Sequence, residues 1–119
     1  MSAPKLQGPF PLTETGIDAH VRSESPGVYI LGYQRKSLFI VSYVGRDDSD
    51  VRRALRTHVS GPYEHFKLAY ALSAQEAFLK ECDLYHDYTG LDNARHPSPP
   101  KGMAWPCACC QATDQEGEA

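Results

Sequence analysis

Two apolar runs dominate the first half of the chain, residues 28–31 (VYIL) and 38–44 (LFIVSYV), separated by the polar stretch 32–37 (GYQRKS). Their β-branched and aromatic content predicts a β-hairpin. Neither run alternates cleanly with polar residues, so both faces of these strands are expected to be covered, with helices on either side of a sheet. Asp47, Asp48, Ser49 and Asp50 then offer N-caps for a helix running to about Val59. Its inward face carries Val51, Ala54, Leu55, His58 and Val59, while Arg52, Arg53, Arg56 and Thr57 fall mostly on the other side; Gly61-Pro62 ends it. Residues 65–72 (HFKLAYAL) alternate Phe66, Leu68, Tyr70 and Leu72 with His65, Lys67, Ala69 and Ala71, predicting a third, half-buried strand. Ser73 with Glu76 three residues later fits a capping box and opens a helix to about Tyr88, closed by Thr89-Gly90. The expected fold is therefore α/β in composition and α+β in arrangement: a small three-stranded sheet flanked by helices, in the order β-β-α-β-α.

Residues 1–26, rich in Pro, Ser, Thr and Gly with one stretch (13–21) suited to a short helix, are expected to form a leader packed on a domain spanning 27–93. From 94 to 119 the chain carries prolines and cysteines and reads as a strap across the domain. Its acidic end, 111–119, has no apolar residue beyond alanine and is expected to be disordered.

Two polar side chains interrupt the apolar stripes, and such breaks tend to mark sites. Glu81 lies in the middle of the stripe defined by Ala74, Ala77, Phe78, Tyr85 and Tyr88. A buried glutamate must be paired, protonated or bound to a cation; a carboxylate reaching solvent at the stripe's edge is the alternative. His58 on the preceding helix is either a packed histidine bonded to a backbone carbonyl or a reactive group. Tyr29 and Tyr43 sit inside the hairpin strands, where tyrosine is also a good strand residue. Gly45, directly after a strand, would let backbone approach a phosphate.

A chain of 119 residues makes one domain with one expected site. The net charge of −3 conceals an uneven distribution: residues 27–72 carry seven basic and four acidic side chains, and the last nine carry three acidic ones and no basic one. That middle segment is too weakly basic to announce a nucleic-acid binder and does not exclude an enzyme making few phosphate contacts. No apolar run approaches the roughly 20 residues of a membrane span. The first residues lack the pattern of a secretory signal, so a cytoplasmic location with reduced cysteines is expected.

Gly27-Val28-Tyr29, then Tyr43-Val44-Gly45 fourteen residues on, then His58, Glu81 and Asn93 in that order resemble the GIY-YIG nuclease family over roughly residues 26–93. The resemblance implies a metal-dependent DNA endonuclease, with Glu81 holding one Mg²⁺ or Mn²⁺ and Tyr43 or His58 activating water. Tyr29 would position phosphate or solvent, Arg46 would contact the phosphate, and Asn93 would buttress the glutamate or the strand ends. The family's helix usually carries an arginine four residues before the histidine; here that position is Ala54, and Arg53 is the adjacent candidate, with Arg52 and Arg56 beyond it. The alternative this departure raises is a catalytically impaired module that keeps the fold and binds nucleic acid or protein. Branched or single-stranded DNA is the expected substrate, with a protein partner or homodimer supplying any sequence specificity.

Cys107, Cys109 and Cys110 include one C-x-x-C pair, half of a structural zinc site, to which His96 and Cys82 would add ligands if the fold brought them near. An interaction domain with a zinc-clipped tail is the third reading.

Overall fold

The computed structural model describes residues 5–22, 24–88, 90–93 and 96–107. Its elements are β1 (Gln7–Pro11), α1 (Glu14–His20), β2 (Gly27–Arg35), β3 (Leu38–Asp47), α2 (Val51–Arg56), β4 (His65–Tyr70) and α3 (Ala74–Asp87). The four strands form one antiparallel sheet in the order β1-β4-β2-β3, with β1 and β3 at its edges.

The expected three-stranded sheet is thus one strand short. β1, from within the leader, pairs with β4 through Gln7↔Leu68, Phe10↔Phe66 and Pro11↔His65. A strand of sequence QGPFP has no alternation to betray it. Its two prolines are tolerated because an edge strand needs ladder bonds on one side only. The hairpin is also longer than the apolar runs suggested. Pairing continues to Arg35↔Leu38, leaving Lys36, at φ +57°, and Ser37 as the turn. Beyond Leu31, β2 runs through polar residues that carry no apolar signal, and opposite them Leu38 and Ile40 are exposed, so the expected cover on both faces does not extend to the start of β3.

β2 lies in the middle of the sheet and is buried from Gly27 to Gly32. Tyr29 and Leu31 point to one face, where they join Phe66 and Leu68 of β4, Ile17 of α1 and Val51 and Leu55 of α2 in a single apolar cluster. Val28 and Ile30 point to the other and pack with Val44, Ala69 and Leu84 of α3. The near-continuous apolar character of β2 therefore has the cause inferred from it: α1 and α2 cover one face, α3 the other.

Local caps fix where the helices begin. Thr13 accepts from the Gly16 amide, Asp50 from Arg53 and Ser73 from Glu76. Glu76 reaches back to the Leu72 amide at 2.7 Å, one residue beyond the N-cap amide of Ser73 that a capping box would bond. α2 stops at Arg56 rather than Val59, and the amide of His58 donates to Leu55 in the tighter turn that follows.

Candidate functional site

A cavity of about 410 Å³ opens where the sheet ends at the last residues of β3. Tyr29, Tyr43, Gly45, Arg46, Arg53 and Glu81 line it, with Asp47, Asp48 and Ser49 on one side and Pro97 and Ser98 on its rim. The register of the hairpin explains the convergence. Tyr29 pairs directly with Gly45, and a Cβ on Gly45 would come within 2.7 Å of the Tyr29 ring. Only glycine lets the ring lie across the edge strand at that point. The two triplets, Gly27-Val28-Tyr29 and Tyr43-Val44-Gly45, are thus one packing unit.

Alternation along β3 sends Tyr43 and Arg46 to opposite faces. Tyr43 stacks beside Tyr29, with ring centroids 6.5 Å apart, and His58 lies against both. The Tyr29 hydroxyl and His58 Nε2 are 3.1 Å apart. On the other face Arg46 donates from Nη1 to Glu81 Oε1 at 2.7 Å and from Nε to Asp48 Oδ1 at 2.8 Å. Its guanidinium also lies 5.2 Å from the Phe78 ring centroid.

Burial pushes the Glu81 carboxyl up to about 6, and the Arg46 guanidinium holds it from rising further. Burial works against the charge on Arg46 as well, but Asp48 and Glu81 outweigh it and the guanidinium stays charged. Tyr29 is pushed far above the ordinary phenol range by burial, with Tyr43, Glu81 and Asp47 adding to the effect; Tyr43 is raised by burial and by Glu81. Burial lowers His58 from its ordinary value, leaving it a neutral imidazole at pH 7.

The structure brings Tyr29, Tyr43, Arg46, Arg53 and Glu81 to one cavity, with His58 behind Tyr29. Arg53 reaches it because α2 starts at Val51: its guanidinium turns back across the preceding loop to Asp47 at 3.2 Å and the Ser49 hydroxyl at 3.1 Å. Ala54 packs into the core, while Arg52 and Arg56 both reach Asp18 on α1, away from the cavity. Asn93 does not enter the cavity. It clasps the outer edge of β3, its side-chain carbonyl accepting from the Val44 amide at 2.9 Å and its amide donating to the Val44 carbonyl at 2.7 Å.

Sequence reasoning treated Asp47 and Asp48 only as capping candidates, whereas both hold site arginines. The signal was present in their position directly after Gly45-Arg46. A second group is formed by Cys82, His96 and Cys107, whose ligand atoms lie within 4.8 Å of one another and could hold a metal ion. Cys109 and Cys110, the other members of the proposed zinc set, and the acidic end, 111–119, lie outside the described residues. Comparison with protein-family models, with curated proteins and with solved structures returns no match to this chain.

Proposed function

We propose that the chain is a divalent-metal-dependent DNA endonuclease of the GIY-YIG type. The observation that carries this reading is the cavity itself: two tyrosines, two arginines and a buried glutamate paired with Arg46 meet where glycine opens the end of an edge strand. Phosphodiester hydrolysis needs an activated water, a cation at the phosphoryl oxygens and stabilisation of the leaving oxygen.

Glu81 is the ligand for Mg²⁺ or Mn²⁺. Arg46 occupies Oε1, so the ion would use the second carboxylate oxygen and keep several waters, as hard cations do with a single protein carboxylate. The lining holds three carboxylates against two guanidiniums, so a divalent ion turns its net charge from −1 to +1. Phosphate binding should therefore follow metal binding. No membrane-crossing helix, long and apolar enough for the task, exists among the described residues.

The choice between tyrosine and histidine as base follows from burial. Tyr29 and Tyr43 hold their protons more tightly than free phenols, while His58 is neutral. His58 accepts from the Tyr29 hydroxyl, whose oxygen in turn accepts from the attacking water, and Tyr43 orients that water. Arg53, freed from Asp47 by the substrate, takes the place of the arginine missing at position 54 and binds the charge that builds on the phosphate.

The test is cleavage of supercoiled plasmid and of branched and single-stranded DNA with Mg²⁺ or Mn²⁺, comparing wild type with Glu81→Ala. Metal-dependent nicking by wild type, reduced at least about 100-fold in the variant, is expected. Equal inactivity of both proteins on every substrate, with salt-sensitive DNA binding retained, would favour the impaired binding module instead.

A further inference from the structure

Near the C-terminal end of α3, on the helix that carries Glu81, two histidine rings face each other. Nε2 of His86 and Nε2 of His96 are 3.1 Å apart. His96 Nδ1 lies 2.8 Å from the Pro97 carbonyl, which can only accept, so Nδ1 carries the proton and Nε2 of the neutral ring presents a lone pair. A backbone carbonyl holding one ring nitrogen so that the other is aimed at an ion is the usual outer-shell arrangement of a metal-bound histidine.

Cys82 and Cys107, both fully buried, join His96 in a group whose ligand atoms fall within 4.8 Å of one another, and His86 stands beside that group through its contact with His96. Cys82 and His86 are four residues apart on α3 and so share one helical face. Two nitrogens at about 2.0–2.1 Å from a tetrahedral ion stand about 3.3 Å apart, close to the separation seen between His86 and His96.

We propose that Cys82, His96 and Cys107 hold a structural Zn²⁺ that clips the strap, 96–107, to α3, with His86 turning in from beside His96 as the fourth ligand. Two thiolates and two imidazoles in tetrahedral array are the donor set that selects zinc over harder ions. The strap has an evident need for it. It contains no helix or strand, and its buried residues are Pro99 and Cys107, the latter in a small cluster with Phe78 and Cys82 against which Leu79 and Trp105 pack. Metal binding supplies folding free energy that so little apolar surface does not. The site is separate from the Mg²⁺ or Mn²⁺ position at Glu81, yet bears on it: Pro97 and Ser98, next to His96, form the rim of the cavity.

The experiment uses the full chain, purified under reducing conditions, and measures bound metal by mass spectrometry and the absorption of the Co²⁺-substituted protein. One zinc per chain and a tetrahedral Co²⁺ spectrum with thiolate charge-transfer bands are expected. His86→Ala, at an exposed side chain that circular dichroism should show still folded, is expected to weaken zinc binding by more than the roughly 10–100-fold typical of outer-shell changes. Cys109→Ser/Cys110→Ser should leave the stoichiometry at one. Absence of stoichiometric zinc, an unchanged affinity in His86→Ala, or loss of zinc in the double serine variant would each overturn the assignment. None of these readouts depends on DNA cleavage, so the zinc site and the nuclease reading stand or fall separately.

Discussion

Asp47 organises the approach to the cavity through donors gathered around one carboxylate oxygen: the amides of Asp50 at 2.7 Å and Ser49 at 2.9 Å, and Arg53 at 3.2 Å. Partial burial alone would raise its pKa, but the two amides and Arg53 outweigh it and hold the carboxyl below its ordinary 3.8. A group depressed on folding stabilises the native state above its unfolded pKa, and that contribution fades as pH falls through the folded value. Asp47→Asn should therefore cost about 1 kcal/mol at pH 7 through lost charge-assisted bonds. The difference from wild type should shrink steadily below pH 3.8, as urea unfolding at a series of pH values would show. Asp47 was legible as a capping candidate and not as a site residue, because the fold brings its partner Arg53 back across the loop to it. Glu81 was legible because a charge inside a helical stripe is conspicuous at any fold. His86 was not: its side chain is exposed near the end of the helix, where a histidine breaks no pattern, and the fold alone brings His96 of the strap to it.

Among the elements, β3 has the most to lose, since it is an edge strand that must hold Tyr43, Gly45 and Arg46 in register. Asn93 satisfies both outward-facing groups of Val44, and the Asp92 amide donates to the Ser42 carbonyl at 2.6 Å. The clasp makes residues 92 and 93 a two-point substitute for a fifth strand. Asn93→Ala leaves a donor and an acceptor of Val44 without their partner, at about 1–3 kcal/mol. Thermal unfolding should show that loss. If the nuclease reading holds, kcat should fall more than metal affinity, because Glu81 sits on α3 and not on the strand. The hairpin, the third long strand and both later helices could be read from apolar period and caps because each buries a continuous face. The end of α2 could not, since Val59 continues the apolar spacing after the backbone has already tightened into a turn that carries His58 to Tyr29.

At the scale of the molecule, two helical layers enclose a sheet whose two edges are protected by different means, the clasp of Asn93 on one side and a short strand on the other. That short strand is the part of the fold least visible in the sequence, because β1 contributes Phe10 to the core and little else of apolar character. Its value lies in what it covers. β1 has prolines at 9 and 11 and offers few amides to a newcomer, whereas β4 behind it, His65–Tyr70, has no proline and carries the fully buried Phe66 and Leu68. A chain beginning at Leu12 would expose the free edge of β4, an unpaired, apolar template of the kind on which proteins stack into aggregates. Light scattering at 37 °C should show that shortened chain self-associating in hours under conditions where the full chain stays monodisperse. Five residues with no part in the chemistry would then set how long the molecule lasts in solution.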